Sequence, residues 1–243
     1  MFYPLFYWLP REQEGLRARR ALLARLSAPQ ESPSPKAGGC YDRRAVPIVK
    51  SDPLLLQGPW AAGCVLERQH TLSSEFLGHD SYGHAQFDTK RSDLGELVFR
   101  LKNRSDKATL PDIADTAADF VSKWQRDIDA IVPVPPSRAR QFQPVVEIVK
   151  ALGERLSAPV LEGAVTKTRE TPQLKDVFGY HERQKLLNGA FTVDQAAIAG
   201  RRLLLVDDLY RSGATAAVVA QGLIDAGASA VYFLAITKTR TKS

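Results

Sequence analysis

Two carboxylates stand side by side at Asp207 and Asp208, between the apolar run Leu203-Leu-Leu-Val206 and the small-residue stretch Arg211-Ser-Gly-Ala-Thr215. The apolar run is short, continuous and bounded, as a strand buried on both faces requires. Thr215 to Ala226 then reads as a helix closed by Gly227. The acids therefore fall at a strand end, and the turn falls at a helix start. In open parallel sheets, ligands bind beyond the carboxyl ends of the strands, so this junction belongs at the mouth of a crevice.

The residue types suit an anionic sugar. A helix N-terminus presents unpaired N–H groups and about half a positive charge, which is a binding site for phosphate. Gly213 lets the backbone approach closely, and the hydroxyls of Ser212 and Thr215 can donate; a monophosphate fits this loop. Asp207 and Asp208 are strong acceptors for two neighbouring ribose hydroxyls and can hold a hard cation directly or through water. Read alone, an Asp pair is an acidic strand end that caps the following helix. The ordered series of strand, acids, small-residue loop and helix favours a ligand site instead.

Other elements must hold this junction in place. Leu94, Leu97, Val98 and Leu101 recur at helical spacing, and Ile113, Ala117, Phe120, Val121 and Trp124 share one face of a second helix, with Pro111 in its first turn. Ala130 to Val134 reads as a buried strand, residues 144–156 as a helix with Val145, Ile148, Val149 and Leu152 apolar, and Val160-Leu161 as a short strand. Lys167 to Lys185 is a long polar segment, and Val231 to Ile236 is a further buried strand. Alternation of strands and helices predicts an α/β fold with a mainly parallel central sheet flanked by helices.

The stretch Leu203 to Thr215 resembles the phosphoribosyl pyrophosphate signature of type I phosphoribosyltransferases. Leu97-Val-Phe-Arg-Leu-Lys102, Ile131-Val-Pro-Val-Pro135, Thr171-Pro-Gln173, Arg183 and Gly189-Ala-Phe191 are similar to its ComF-type (competence protein F-like) branch, and the resemblance covers roughly Asp93 to Lys238. It implies the type I phosphoribosyltransferase fold, with phosphoribosyl pyrophosphate or a nucleotide monophosphate bound together with Mg²⁺. Asp207 and Asp208 would be the catalytic and metal-binding acids, and Arg211, Ser212, Gly213, Ala214 and Thr215 would hold phosphate. By the same resemblance Ser137, Arg138 and Arg140 form a pyrophosphate loop, which the planar donor fork of arginine suits. Lys167, Arg169 and Arg183 belong to a flap that closes over the reacting centre and excludes water. Two departures stand out: Arg211 occupies a position where the family commonly has Thr, and two cysteines cannot build the four-cysteine zinc module often found in that branch.

The resemblance implies a cytoplasmic transferase of nucleotide metabolism that passes a phosphoribosyl group to a nitrogenous acceptor. The competing reading is a non-catalytic sensor of phosphoribosyl compounds or nucleotides acting in DNA uptake or another nucleic-acid process. A formal charge of +6 and a pI near 9.4 attract an anionic metabolite and a nucleic acid alike. The acceptor would be met by a hood at residues 60–92 with the flap, where Tyr82, Phe87 and Tyr180 either stack a base or form local core.

Division of the chain follows composition: residues 1–42 as extension and linker, 43–92 as a small hood-like subdomain, and 93–243 as the main domain. The opening Met1 to Pro10 is apolar but far short of the roughly 20 residues a spanning helix needs, so no membrane span is expected. Arg11 to Leu26 reads as a short basic helix, and residues 27–39 as a Pro/Ser linker. Cys40 and Cys64, too few for a disulfide framework, fit a reducing cytoplasm, and Cys64, His70, His79 and His84 match no zinc spacing. Homo-oligomerisation is left open by the sequence.

Overall fold

A computed structural model of the chain describes residues 49–136, 141–171, 177 and 179–239. The basic N-terminal segment and the expected pyrophosphate-loop residues Ser137, Arg138 and Arg140 lie outside the described residues.

A five-stranded sheet forms the centre, built from β1 (Leu54–Leu55), β2 (Ala62–Glu67), β5 (Ala130–Pro133), β8 (Arg202–Tyr210) and β9 (Ala230–Lys238), in the order β1-β2-β9-β8-β5. Only β1 runs antiparallel to its neighbour; β2, β9, β8 and β5 are parallel. The sheet is therefore mainly parallel, as the alternation of elements predicts. Three helices cover one face: α1 (Asp93–Arg104), α2 (Leu110–Trp124) and α3 (Pro144–Leu156). The other face is covered by α6 (Ala214–Asp225), by the small antiparallel pair β6 (Val165–Lys167) and β7 (Phe191–Val193), and by α5 (Gln195–Ile198). Between β6 and β7 lies α4 (Tyr180–Leu187), so the long polar segment contains a helix.

Burial on both faces explains why β8 reads as unbroken aliphatics. Leu203 and Leu205 pack toward α6, whereas Leu204 and Val206 pack toward α1, α2 and α3; all four are fully buried. Its register is pinned at the opposite end from the acids, where Asp129 accepts from the Arg202 backbone N–H at 2.8 Å and from its guanidinium at 2.7 and 3.0 Å.

Two features depart from the sequence reading. Residues 62–67, expected in the hood, form β2 inside the central sheet, and Cys64 is consequently a fully buried core residue. Its Gly-containing flanks read as turns, yet Gly63 is there because any Cβ would strike the Trp60 ring, which stacks on Phe233 with centroids 4.5 Å apart. What projects from the sheet is the hairpin of β3 (Thr71–His79) and β4 (Ala85–Arg91). Val160 makes only an isolated bridge to Ile131 rather than a strand. The histidines do not converge: among the described residues no group of three His, Cys, Asp or Glu side chains could hold a metal ion.

Candidate functional site

The strand does not stop before the acids. β8 continues through Asp207 and Asp208 to Tyr210, so successive side chains still point to opposite faces of the sheet. Asp207 continues the face of Leu203 and Leu205, toward α6. Asp208 continues the face of Leu204 and Val206, toward α1. Their contacts follow this split.

Asp207 lines a cavity of about 100 Å³ together with Leu209, Tyr210, residues 211–216 and Arg183. Its Oδ1 accepts from the Asp208 backbone N–H at 2.9 Å. Burial first, and the neighbouring Asp208 carboxylate second, push the Asp207 carboxyl well above the ordinary carboxylate range. A partly exposed acid kept at a cavity wall against this cost is a candidate for contact with a ligand.

The loop beyond is open to an anion. Gly213 is the N-cap of α6 with φ 75°, in the left-handed region, and no side chain caps the helix. The first N–H groups of any helix lack intrahelical partners, and among the described residues no hydrogen bond takes the amides of residues 212–215. Two constraints hold position 213 to glycine: its φ, and the Tyr210 ring, which a Cβ would strike. Tyr210 is itself fixed against Phe233, with centroids 6.0 Å apart. Ser212, Gly213 and Thr215 are partly exposed at the wall, Ala214 is buried, and Arg211 is exposed at the rim.

Asp208 has a different environment. It is only 7% exposed, and Lys102 Nζ donates to its two carboxylate oxygens at 2.7 and 3.0 Å. Lys102 comes from the last turn of α1, a helix capped by Ser92, whose Oγ accepts from Gly95 N–H at 3.1 Å. Behind the pair, Thr237 Oγ1 donates to the Asp208 carbonyl at 3.4 Å, and His70 Nδ1 lies 3.1 Å from the same hydroxyl. With the threonine proton so placed, Nδ1 is the donor to Thr237. Burial first, then Arg91 and Lys102, hold the His70 pKa below its usual value, so the ring is neutral near pH 7.

Of the expected site residues, the fold brings Asp207 and residues 211–215 to one cavity. Arg183 joins them there, while its Nε donates to the Val177 carbonyl at 2.9 Å. Arg169 is engaged elsewhere: its Nη2 donates to the Leu186 and Asn188 carbonyls at 2.8 Å each, satisfying the end of α4. Lys167 Nζ donates to Thr171 Oγ1 at 2.9 Å. Lys102 ends one of the stretches that carry the resemblance, but nothing in the sequence ties it or His70 to the acids, because their pairing with β8 and β9 spans more than a hundred residues. The apolar spacing of α1 does fix which side of that helix faces the sheet.

As to a metal, the site supplies one accessible carboxylate, that of Asp207, because Lys102 occupies both oxygens of Asp208. A single carboxylate plus ligand oxygens is the manner in which Mg²⁺ is commonly bound beside phosphates.

No protein-family model matches the sequence, and no curated protein matches it. Solved structures with a similar chain path include the glutamine phosphoribosylpyrophosphate amidotransferase of B. subtilis complexed with ADP and GMP, at 15% identity and TM-score 0.42. That match covers 64% of this chain and 34% of the other, so the present chain spans about a third of it. Adenine phosphoribosyltransferase of Leishmania tarentolae matches at 14% identity and TM-score 0.41, covering 72% of this chain and 91% of the other. Adenine phosphoribosyl transferase of Trypanosoma brucei, in complex with AMP, pyrophosphate and ribose-5-phosphate, matches at 13% identity and TM-score 0.40. Here 68% of this chain and 75% of the other are covered.

Proposed function

We propose that the chain is a phosphoribosyltransferase of the ComF-type branch, which binds phosphoribosyl pyrophosphate with Mg²⁺ and transfers the phosphoribosyl group to a nitrogenous acceptor. One observation carries this reading: a partly exposed carboxylate, Asp207, and an uncapped helix N-terminus, residues 212–215, share the wall of one cavity at the carboxyl end of a parallel strand. Carboxylate and open amides recognise opposite ends of a ribose phosphate. The 5′-phosphate would seat on the amides of residues 212–215 with the hydroxyls of Ser212 and Thr215, and the ribose hydroxyls would donate to Asp207.

In the reaction, the bond from ribose C1 to the pyrophosphate oxygen breaks as the bond from C1 to the acceptor nitrogen forms; the nitrogen's proton leaves with pyrophosphate or solvent. Positive charge grows on the sugar, and the Asp207 carboxylate stabilises it from its fixed place on β8. No side chain needs to act as nucleophile. Bound Mg²⁺ would neutralise the diphosphate leaving group, with Asp207 as the protein residue placed to hold it. Arg183, at the cavity rim, supplies a further cation for the phosphates. Ser137, Arg138 and Arg140 would serve the pyrophosphate, and Arg211, Ala214, Lys167 and a rearranged Arg169 would complete the enclosure. The β3–β4 hairpin, rooted beside β9 through the His70 N–H bond to Lys238 O at 2.8 Å, is the proposed acceptor hood.

Incubation with phosphoribosyl pyrophosphate, Mg²⁺ and a panel of bases and amines tests this reading. Pyrophosphate release that requires both an acceptor and Asp207 supports transfer. Binding without release from any acceptor supports a sensor.

A further inference from the structure

The split of the acid pair leaves Lys102 to be explained, and the inference drawn from it rests on the reading of the cavity given above. Asp207 and Asp208 are neighbours on one strand and face opposite sides of the sheet, so they do not close on a single ion. Asp208 is 7% exposed, and its carboxylate meets the ammonium of Lys102 at 2.7 and 3.0 Å, one distance for each oxygen. An ion approaching Asp208 would have to displace a cation already seated on both oxygens.

We propose that Lys102 is the fixed counter-cation of the acid pair, holding Asp208 out of divalent-ion coordination so that an ion arriving with the ligand is met by Asp207 alone. Lys102 is thus a positioning residue. An uncompensated Asp208 carboxylate would offer a divalent ion from solution a second seat at the strand end, filled before any sugar phosphate arrived. With one acid neutralised by a tethered ammonium, the resting site offers a single carboxylate. The ion then needs the ligand's own oxygens to complete its shell. The placement is built in: α1 packs Leu94, Val98 and Leu101 under the sheet, and its last turn carries Lys102 to the end of β8.

Manganese binding followed by electron paramagnetic resonance, without sugar phosphate, tests this on the full chain. Wild type and Lys102→Arg should bind Mn²⁺ weakly and alike, whereas Lys102→Met, which strands the Asp208 charge, should bind it at least about tenfold more tightly. The double variant Lys102→Met/Asp208→Asn should return to the wild-type level. Folded Lys102→Met that binds Mn²⁺ no better than wild type overturns the proposal. Since Lys102→Met removes one partner of a partly buried pair and can destabilise the chain, a second measurement uses Asp208→Asn. The Mg²⁺ dependence of phosphoribosyl pyrophosphate binding should survive Asp208→Asn and disappear in Asp207→Asn; equal loss in both overturns the assignment. Should wild type bind no phosphoribosyl pyrophosphate at all, the proposed function falls, and the Mn²⁺ comparison still decides the role of Lys102.

Discussion

At the scale of single residues, the proposed function and stability pull in opposite directions at Asp207. Burial and the adjacent Asp208 disfavour its charge, so the ionised group costs the folded chain stability at neutral pH. Asp207→Asn keeps the shape and the acceptor for the Asp208 N–H while removing that charge. Its melting temperature should equal or exceed wild type, and its affinity for phosphoribosyl pyrophosphate should fall by about 10- to 100-fold, as loss of charge-assisted hydrogen bonds implies. Calorimetry of both quantities checks the pairing. Gly213→Ala should cost about 1–3 kcal/mol by denaturant titration, because alanine is strained at φ 75° and presses on Tyr210, and should weaken phosphate binding with it. Both positions were legible in the sequence, since strand, acids and small-residue turn are consecutive there. Lys102 was not: it is 106 positions from Asp208, and only the packing of α1 against the sheet brings the two together.

At the scale of elements, β8 does two jobs with one alternation. Leu204 and Val206 bury one face while Leu203 and Leu205 bury the other, and the same alternation sends Asp208 to Lys102 and Asp207 to the cavity. A one-residue slip would exchange the acids, which makes the ion pair at the strand's start consequential. Hydrogen bonds from Arg202 hold the Asp129 carboxyl down at about 2, from an ordinary value of 3.8. A depressed carboxyl stabilises the fold fully above that ordinary value and loses the contribution as pH falls through about 2. Asp129→Asn should therefore flatten the acid-unfolding profile between those limits, as circular dichroism against pH would show. The parallel strands β5, β8 and β9 and four of the helices are readable because their periods are unbroken. β2 was not, as Gly63 and Trp60 mimic turn chemistry where they serve ring packing, and α4 was hidden because its surface is polar on most sides and only Leu187 is buried.

Across the whole molecule, a packed sheet supports a hairpin that has little core of its own. Phe76, Leu77, Tyr82 and Phe87 on β3, β4 and their turn are all more than half exposed, with Phe76 and Phe87 edge to face at 5.5 Å. A two-stranded ribbon is marginal by itself, and this one is anchored by its root, where His70 meets Thr237 and Lys238. If it covers the acceptor, Phe87→Ala should raise KM for the acceptor and leave phosphoribosyl pyrophosphate affinity unchanged in steady-state kinetics. Among the described residues no helix is long and apolar enough to cross a membrane. The proposed function depends on the cavity between Asp207 and the opening of α6. Titration calorimetry of the wild-type chain with phosphoribosyl pyrophosphate and Mg²⁺, repeated with Asp207→Asn, addresses that dependence. Saturable binding by wild type that collapses in the variant is expected; binding that is equal in the two, or absent from both, would show that the acid and the loop do not form a sugar-phosphate site.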